Sequence, residues 1–224
     1  MAASQAITDG PATASTSTIP KYVTDPEGWI DDVTTAHEYV CLIIFRGSWC
    51  SFDKYYLTQF GTMRKEMEAD GVHLIAWTSE GEEGAKRADE AWKLTSKWGY
   101  DQVIGDSTCA LGKFLKEDET LPKLIISSVE EAKVSSKIHP GTYKNGLVQP
   151  ALVFYAHHGI LVLHWEAKVR PSGYGASQRP VPSEVWRKVQ KRKHALDMGN
   201  AVLPADGSKL KQCCNSLDAK CPTM

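Results

Sequence analysis

The chain has 224 residues, 42% hydrophobic and 24% charged, which suits one domain with a full core and short tails. Lys and Arg number 26 against 27 Asp and Glu, a net charge of -1, so the overall balance points away from polyanionic partners such as nucleic acid. No apolar run reaches the roughly 18 to 20 residues of a membrane-spanning helix, so transmembrane and collagen-like classes are set aside.

Residues 1–20 are rich in Ala, Ser and Thr, contain no Lys or Arg, and lack the apolar stretch of a secretory signal. They read as a disordered tail, with a cytoplasmic location expected. Tyr39 to Phe45 is a continuous apolar, β-branched run, as in a strand buried on both faces of a sheet. After a loop at 47–52, Tyr56, Leu57, Phe60, Met63 and Met67 recur at intervals that predict one amphipathic helix ending before Asp70-Gly71. Val72 to Thr78 reads as a second strand and Glu82 to Trp98 as a second helix, which together predict parallel pairing through right-handed crossovers. Gln102 to Asp106 is a short third strand, followed by a helix over Thr108 to Lys116 capped by Asp106 or Ser107.

From Glu117 to Gln149 the pattern is loop-like, with an apolar patch at Leu124 to Ile126. Pro150 then leads into Ala151 to Tyr155, a turn at His157-His158-Gly159 and a strand over Ile160 to Ala167, a β-hairpin that makes the sheet mixed. Ser183 to Leu196 is a final helix, and residues 198–224 form a loose tail. The expected domain therefore spans 21–197, an α/β unit with helices on both faces of a mixed sheet.

Cysteines stand at 41, 50, 109, 213, 214 and 221, with neither the paired spacing of a zinc site nor the density of a disulfide scaffold. His157, His158 and His164 have no partner at helical spacing, so no metal and no cofactor is called for. Arg187, Lys188, Lys191, Arg192 and Lys193 read as the solvent face of the last helix, without the aromatic platform of a nucleic-acid site. Cys221-Pro-Thr-Met224 lacks the aliphatic pair of a prenylation signal.

The informative stretch is Arg46-Gly-Ser-Trp-Cys50-Ser-Phe52. It sets one cysteine between a buried strand and the N-terminus of the next helix, where amide N–H groups, the helix dipole and Arg46 can stabilise a thiolate. A small buried hydrophobe is the other reading of Cys50. Asp53, in the first helical turn, suits the dipole but would raise the thiol pKa if it points at sulfur; it is either a water-facing residue or a general base. Trp49, Phe52, Tyr55 and Tyr56 offer an aromatic mouth for an organic molecule.

Val40 to Tyr56 resembles the strand, loop and helix of the thioredoxin fold, and specifically the peroxiredoxin-like branch of the alkyl hydroperoxide reductase and thiol-specific antioxidant superfamily, with its Arg-Gly-x-Trp-Cys-Pro-x-Cys pattern. Gly105 to Phe114 is similar to that superfamily's Asp-centred segment before a short helix, and Gln149-Pro150 with the following hairpin to its Pro-strand-turn-strand element. The likeness covers roughly residues 22–194. It implies that Cys50 is the reactive thiol, that Arg179 contacts its thiolate, and that Pro150 is a cis-proline facing it. Two departures stand out: Cys50-Ser-Phe-Asp53 replaces the second cysteine with a carboxylate, and Gly47 stands where Thr or Ser is usual. Any resolving thiol is then distant, with Cys109, Cys213, Cys214 and Cys221 as candidates; Cys41 reads as core.

The resemblance implies a thiol-dependent antioxidant oxidoreductase. Cys50 would act on an organic hydroperoxide, endoperoxide or disulfide, with an external thiol reductant of thioredoxin or glutathione type, no nucleic acid or membrane partner, and a homodimer compatible with the class. Two other readings stay open: an isomerase, cyclase or lyase of specialised metabolism that uses Asp53 without thiol redox, and a non-catalytic binding module.

Overall fold

We analysed a computed structural model, which describes residues 19–132, 138, 141–170, 173–174 and 179–197. The two tails, with Cys213, Cys214 and Cys221, lie outside the described residues except for Ile19 and Pro20.

The described residues open with two helices that the periodicity did not reveal, α1 (Lys21–Thr24) and α2 (Pro26–Ala36). The start of α2 is encoded locally: the Asp25 carboxylate accepts from the Gly28 N–H at 3.0 Å, and Pro26 occupies the first turn, where its missing N–H costs nothing. The strand β1 (Tyr39–Ile44) follows, buried at every position because it is central in the sheet. Next come α3 (Ser51–Thr62), α4 (Arg64–Ala69), β2 (Val72–Thr78), α5 (Glu82–Trp92), β3 (Gln102–Gly105) and α6 (Ala110–Glu117). β1 pairs with β2, and β2 with β3, in parallel.

The single helix expected before Asp70 is two, broken at Met63. Gly61 and the β-branched Thr62 are weak helix formers, and Gly61 is retained because a Cβ there would lie 2.5 Å from Trp98 Cβ. The helix expected to Trp98 ends at Trp92. Lys93 turns left-handed (φ 58°), and the Asp89 carboxylate takes the Thr95 N–H at 2.8 Å, drawing the chain off the helix axis. Helix α6 starts later than expected, at Ala110. Asp106 still caps the turn before it, accepting from Thr108 N at 3.0 Å and Leu111 N at 3.2 Å.

The stretch left as loop contains a small antiparallel pair, β4 (Ile126–Ser127) with β5 (Leu147–Val148). The hairpin β6 (Ala151–Ala156) and β7 (Ile160–Glu166) then completes the sheet in the order β3-β2-β1-β6-β7, with β6 antiparallel to β1. Two-residue strands β8 (Val169–Arg170) and β9 (Gly173–Tyr174) precede the last helix, α7 (Pro182–Asp197).

Side-chain alternation along β1 and β6 separates two cores. Cys41, Ile43, Phe45, Leu152 and Phe154 pack against Leu57 and Phe60 of α3, Trp92 of α5 and Val185, Trp186 and Val189 of α7. Leu42, Ile44, Val153 and Tyr155 pack on the other face against Ile30 of α2 and Leu111 and Leu115 of α6. This is the expected mixed sheet with helices on both faces. The basic run on α7 departs from expectation: Arg192 donates to the Val162 carbonyl at 2.6 Å and Lys193 pairs with Asp70 at 3.0 Å, so both reach back onto the domain. Among the described residues no helix is long and apolar enough to cross a membrane, and no group of three or more His, Cys, Asp or Glu could hold a metal ion.

Candidate active site

β1 delivers Arg46 just past the C-terminal end of the central strand, and the turn at 47–50, closed by Cys50 N–H to the Gly47 carbonyl at 3.1 Å, sets Cys50 at the N-cap of α3. The cysteine is 3% exposed. Arg46 Nη2 lies 2.8 Å from Cys50 Sγ, which joins the two residues the sequence singled out first.

Asp53 does not face water. It is 1% exposed, accepts the Arg46 backbone N–H at 3.0 Å, lies 3.7 Å from Arg46 Nε, and is hydrogen-bonded through Oδ1 by Arg179 Nη2. Arg179, reached from 126 residues away in sequence, therefore meets the site at the carboxylate, and its guanidinium lies over the Tyr56 ring at 5.6 Å. Two arginines, one carboxylate and one thiol thus form a buried cluster at the start of α3.

The charges act on sulfur in opposite directions. Burial pushes the Cys50 thiol up from its ordinary range, and the Asp53 carboxylate adds to this by repulsion and by accepting from the thiol. Arg46 and the Asp53 backbone N–H pull the other way without cancelling the rise. A resting thiolate is thus not what this packing favours: burial, with the Asp53 carboxylate behind it, outweighs the pull of Arg46 and of the helix N-terminal N–H.

The aromatic mouth is only partly assembled. Trp49 lies near Arg46, with the guanidinium 5.2 Å from its ring, and Tyr56 is buried against Phe60. Phe52 and Tyr55, however, are 53% and 68% exposed, one helical turn apart on the outer side of α3, so they do not enclose the cysteine. Pro150 is buried at the start of β6, but every peptide bond among the described residues is trans, so the expected cis-proline is not present. Cys109 is not the reachable thiol expected of it: it is fully buried, and burial and Asp106 push it up to about 12. Cys41 is core, as expected, and all three described cysteines are free thiols.

Three residues that sequence reasoning passed over complete the loop's surroundings. Thr78 Oγ1 donates to the Arg46 carbonyl at 3.2 Å, and Tyr143 Oη donates to the same carbonyl at 2.7 Å. Glu80 Oε2 accepts the Ser48 N–H at 2.6 Å, Glu80 Oε1 accepts the Ser48 hydroxyl at 3.0 Å, and Arg87 holds that carboxylate from outside at 3.1 Å. Thr78 and Glu80 had a readable signal: they end the strand beside β1, and in parallel sheets the C-terminal strand ends collect functional groups. Tyr143 had none, lying in the stretch whose pattern gave no element.

Neither a family model nor a curated protein matches the chain by sequence. Among solved structures, peroxiredoxin 6 of Arenicola marina superposes with a TM-score of 0.50 at 17% identity, covering 80% of this chain and 69% of its own. AhpC of Enterococcus faecalis gives 0.47 at 11% identity over 75% and 81% of the two chains, and a yeast mitochondrial 1-Cys peroxiredoxin gives 0.47 at 15% over 80% and 72%. What the chain shares with these peroxiredoxin structures is the fold, a thioredoxin-like α/β domain.

Proposed function

We propose that this chain is a thiol-dependent oxidoreductase in which Cys50 attacks the O–O bond of an organic hydroperoxide or endoperoxide, or a disulfide. The observation that carries this reading is the Arg46 guanidinium 2.8 Å from a cysteine sulfur at a helix N-cap, inside the peroxiredoxin-type fold.

Because burial and the Asp53 carboxylate together keep the proton on sulfur at rest, Asp53 is given the role of proton carrier. As the sulfur attacks the terminal peroxide oxygen, Asp53 takes the thiol proton, the O–O bond breaks, and the proton passes to the departing alkoxide. Cys50-SH and ROOH become Cys50-SOH and ROH: sulfur is oxidised, the peroxide is reduced, and no atom is unaccounted for. Arg46 stabilises the charge that develops on sulfur, and Arg179 orients Asp53. Trp49, half-buried beside Arg46, is the aromatic surface proposed to meet the organic part of the substrate. An external thiol of thioredoxin or glutathione type then reduces the sulfenic acid, giving water and a disulfide. Cys41 and Cys109 are buried, so neither is offered as the resolving thiol in this reading. A cytoplasmic setting, where thiols stay reduced, and a homodimer belong to the same reading.

The test is hydroperoxide consumption with an excess of thiol reductant. Cys50→Ser should abolish turnover, and Asp53→Asn should lower it by about tenfold or more through the lost acid–base step. The buried Asp53 between two arginines also supports a second reading, acid–base chemistry on a small organic molecule without redox. That reading requires Cys50→Ser to stay active while Asp53→Asn does not.

A further inference from the structure

We propose that Tyr143 is a positioning residue of the Cys50 site, its hydroxyl occupying the space a side chain at residue 47 would fill and holding Arg46 against the cysteine; this rests on the thiol reading of Cys50 and extends it.

Three polar atoms converge where Gly47 has no side chain. A Cβ at residue 47 would lie 2.2 Å from Tyr143 Oη, 2.7 Å from Trp49 Nε1 and 2.8 Å from Glu80 Oε2. The glycine is therefore the condition for a hydroxyl delivered to Arg46 from 97 residues further along the chain. That hydroxyl has one proton, and it goes to the Arg46 carbonyl at 2.7 Å, while Trp49 Nε1 donates to the phenol oxygen at 2.9 Å. Tyr143 thus acts on the loop and not on a substrate.

Arg46 is consequently held at its backbone and at the tip of its guanidinium. Its carbonyl accepts from Tyr143 and Thr78, its N–H is taken by Asp53, and Nη2 reaches Cys50 Sγ. The next peptide is fixed by Glu80 through Ser48 N–H. Tyr143 is itself anchored in a small apolar cluster with Ala132 and Leu147, packed by Trp49 and Val129, so the hydroxyl is presented by a buried ring. Loss of the hydroxyl would let the Arg46 backbone relax and carry its guanidinium away from sulfur, removing the one side chain that favours the thiolate.

The measurement is the iodoacetamide labelling rate of Cys50 against pH, read by peptide mass, for wild type, Tyr143→Phe, Gly47→Ala and the double variant, each with a thermal melt. Tyr143→Phe should move the labelling midpoint up by about half a pH unit, close to a threefold loss of rate at any pH below it. Gly47→Ala, whose Cβ must expel the hydroxyl, should give the same shift, and the double variant no more than either. Where Tyr143→Phe does not yield folded protein, Gly47→Ala carries the same test. A lowered melting temperature with an unmoved midpoint would make Tyr143 merely structural and overturn the proposal, as would shifts that add in the double variant. Labelling needs no hydroperoxide, so a wild type that alkylates at Cys50 yet consumes no hydroperoxide removes the peroxidase reading alone.

Discussion

At Cys50, Arg46 draws the thiol toward its charged form while burial and the Asp53 carboxylate hold the proton on, and the second pair prevails. Asp53→Asn removes the repulsion and the thiol's acceptor, so the Cys50 labelling midpoint should fall by about one pH unit even as turnover drops. The same substitution leaves Arg46 and Arg179 facing a neutral amide in a buried pocket, and urea unfolding should register a loss of about 3 to 5 kcal/mol. An unchanged midpoint in Asp53→Asn would show that the carboxylate does not act on sulfur. Cys50, Arg46 and Asp53 were legible because four residues of helix geometry and one strand end bring them together. The pairing of Arg179 with Asp53 was not, since it spans 126 residues and its chemistry, a buried carboxylate that needs a second cation, shows only once burial is known. Phe52 and Tyr55 misled for a related reason: adjacency in sequence to a cysteine says nothing about which side of α3 a ring takes.

Among the elements, the ends carry the information that the hydrophobic pattern lacks. Apolar spacing continued through Met63 and Met67, and through Leu94 and Trp98, so it extended both helices past their ends. The breaks come from Gly61 against Trp98 and from Asp89 capping Thr95, both interactions with residues outside the period. Lys93 holds a left-handed conformation that suits glycine better, and its N–H still reaches the Asp89 carbonyl at 2.6 Å. Lys93→Gly should therefore raise stability by about 1 kcal/mol in urea unfolding, with no effect on Cys50 labelling. The strands of the main sheet were read nearly to the residue, whereas the two-residue strands β4, β5, β8 and β9 are too short to leave a pattern. β1 and β2 are continuous apolar runs for a physical reason, as both faces of a central parallel strand are covered.

Over the whole molecule, the sheet order places β1 between β2 and β6, so both cores depend on it and on its antiparallel neighbour. Phe154→Ala, in a fully buried position on β6, should cost about 3 to 5 kcal/mol. Proton linkage sets the pH range of stability. Cys41, Cys50 and Cys109, with Tyr56, Tyr100, Tyr143 and Tyr155, are all pushed up chiefly by burial, so the folded chain keeps protons that the unfolded chain releases. Stability is full below the ordinary thiol range and is lost as pH rises above about 9, which a series of alkaline melts would trace. A melting temperature that stayed level to pH 11 would contradict it, since at least Cys109 and the tyrosines titrate later than their unfolded counterparts. The fold class was legible because the alternation of strand and helix signals survives without any one element's boundaries being right. The hydrogen-bonded clamp around Arg46 was not, because it joins four separate segments of chain.

The proposed chemistry rests on Cys50 acting as a redox thiol. Its most direct measurement is the intact mass of wild type and Cys50→Ser after brief exposure to an organic hydroperoxide without reductant, followed by addition of a thiol. The wild type should gain one oxygen atom at Cys50 and lose it to the thiol, and the variant should gain none. A wild type that gains no oxygen at Cys50, or a Cys50→Ser variant that consumes the hydroperoxide as fast, would contradict it.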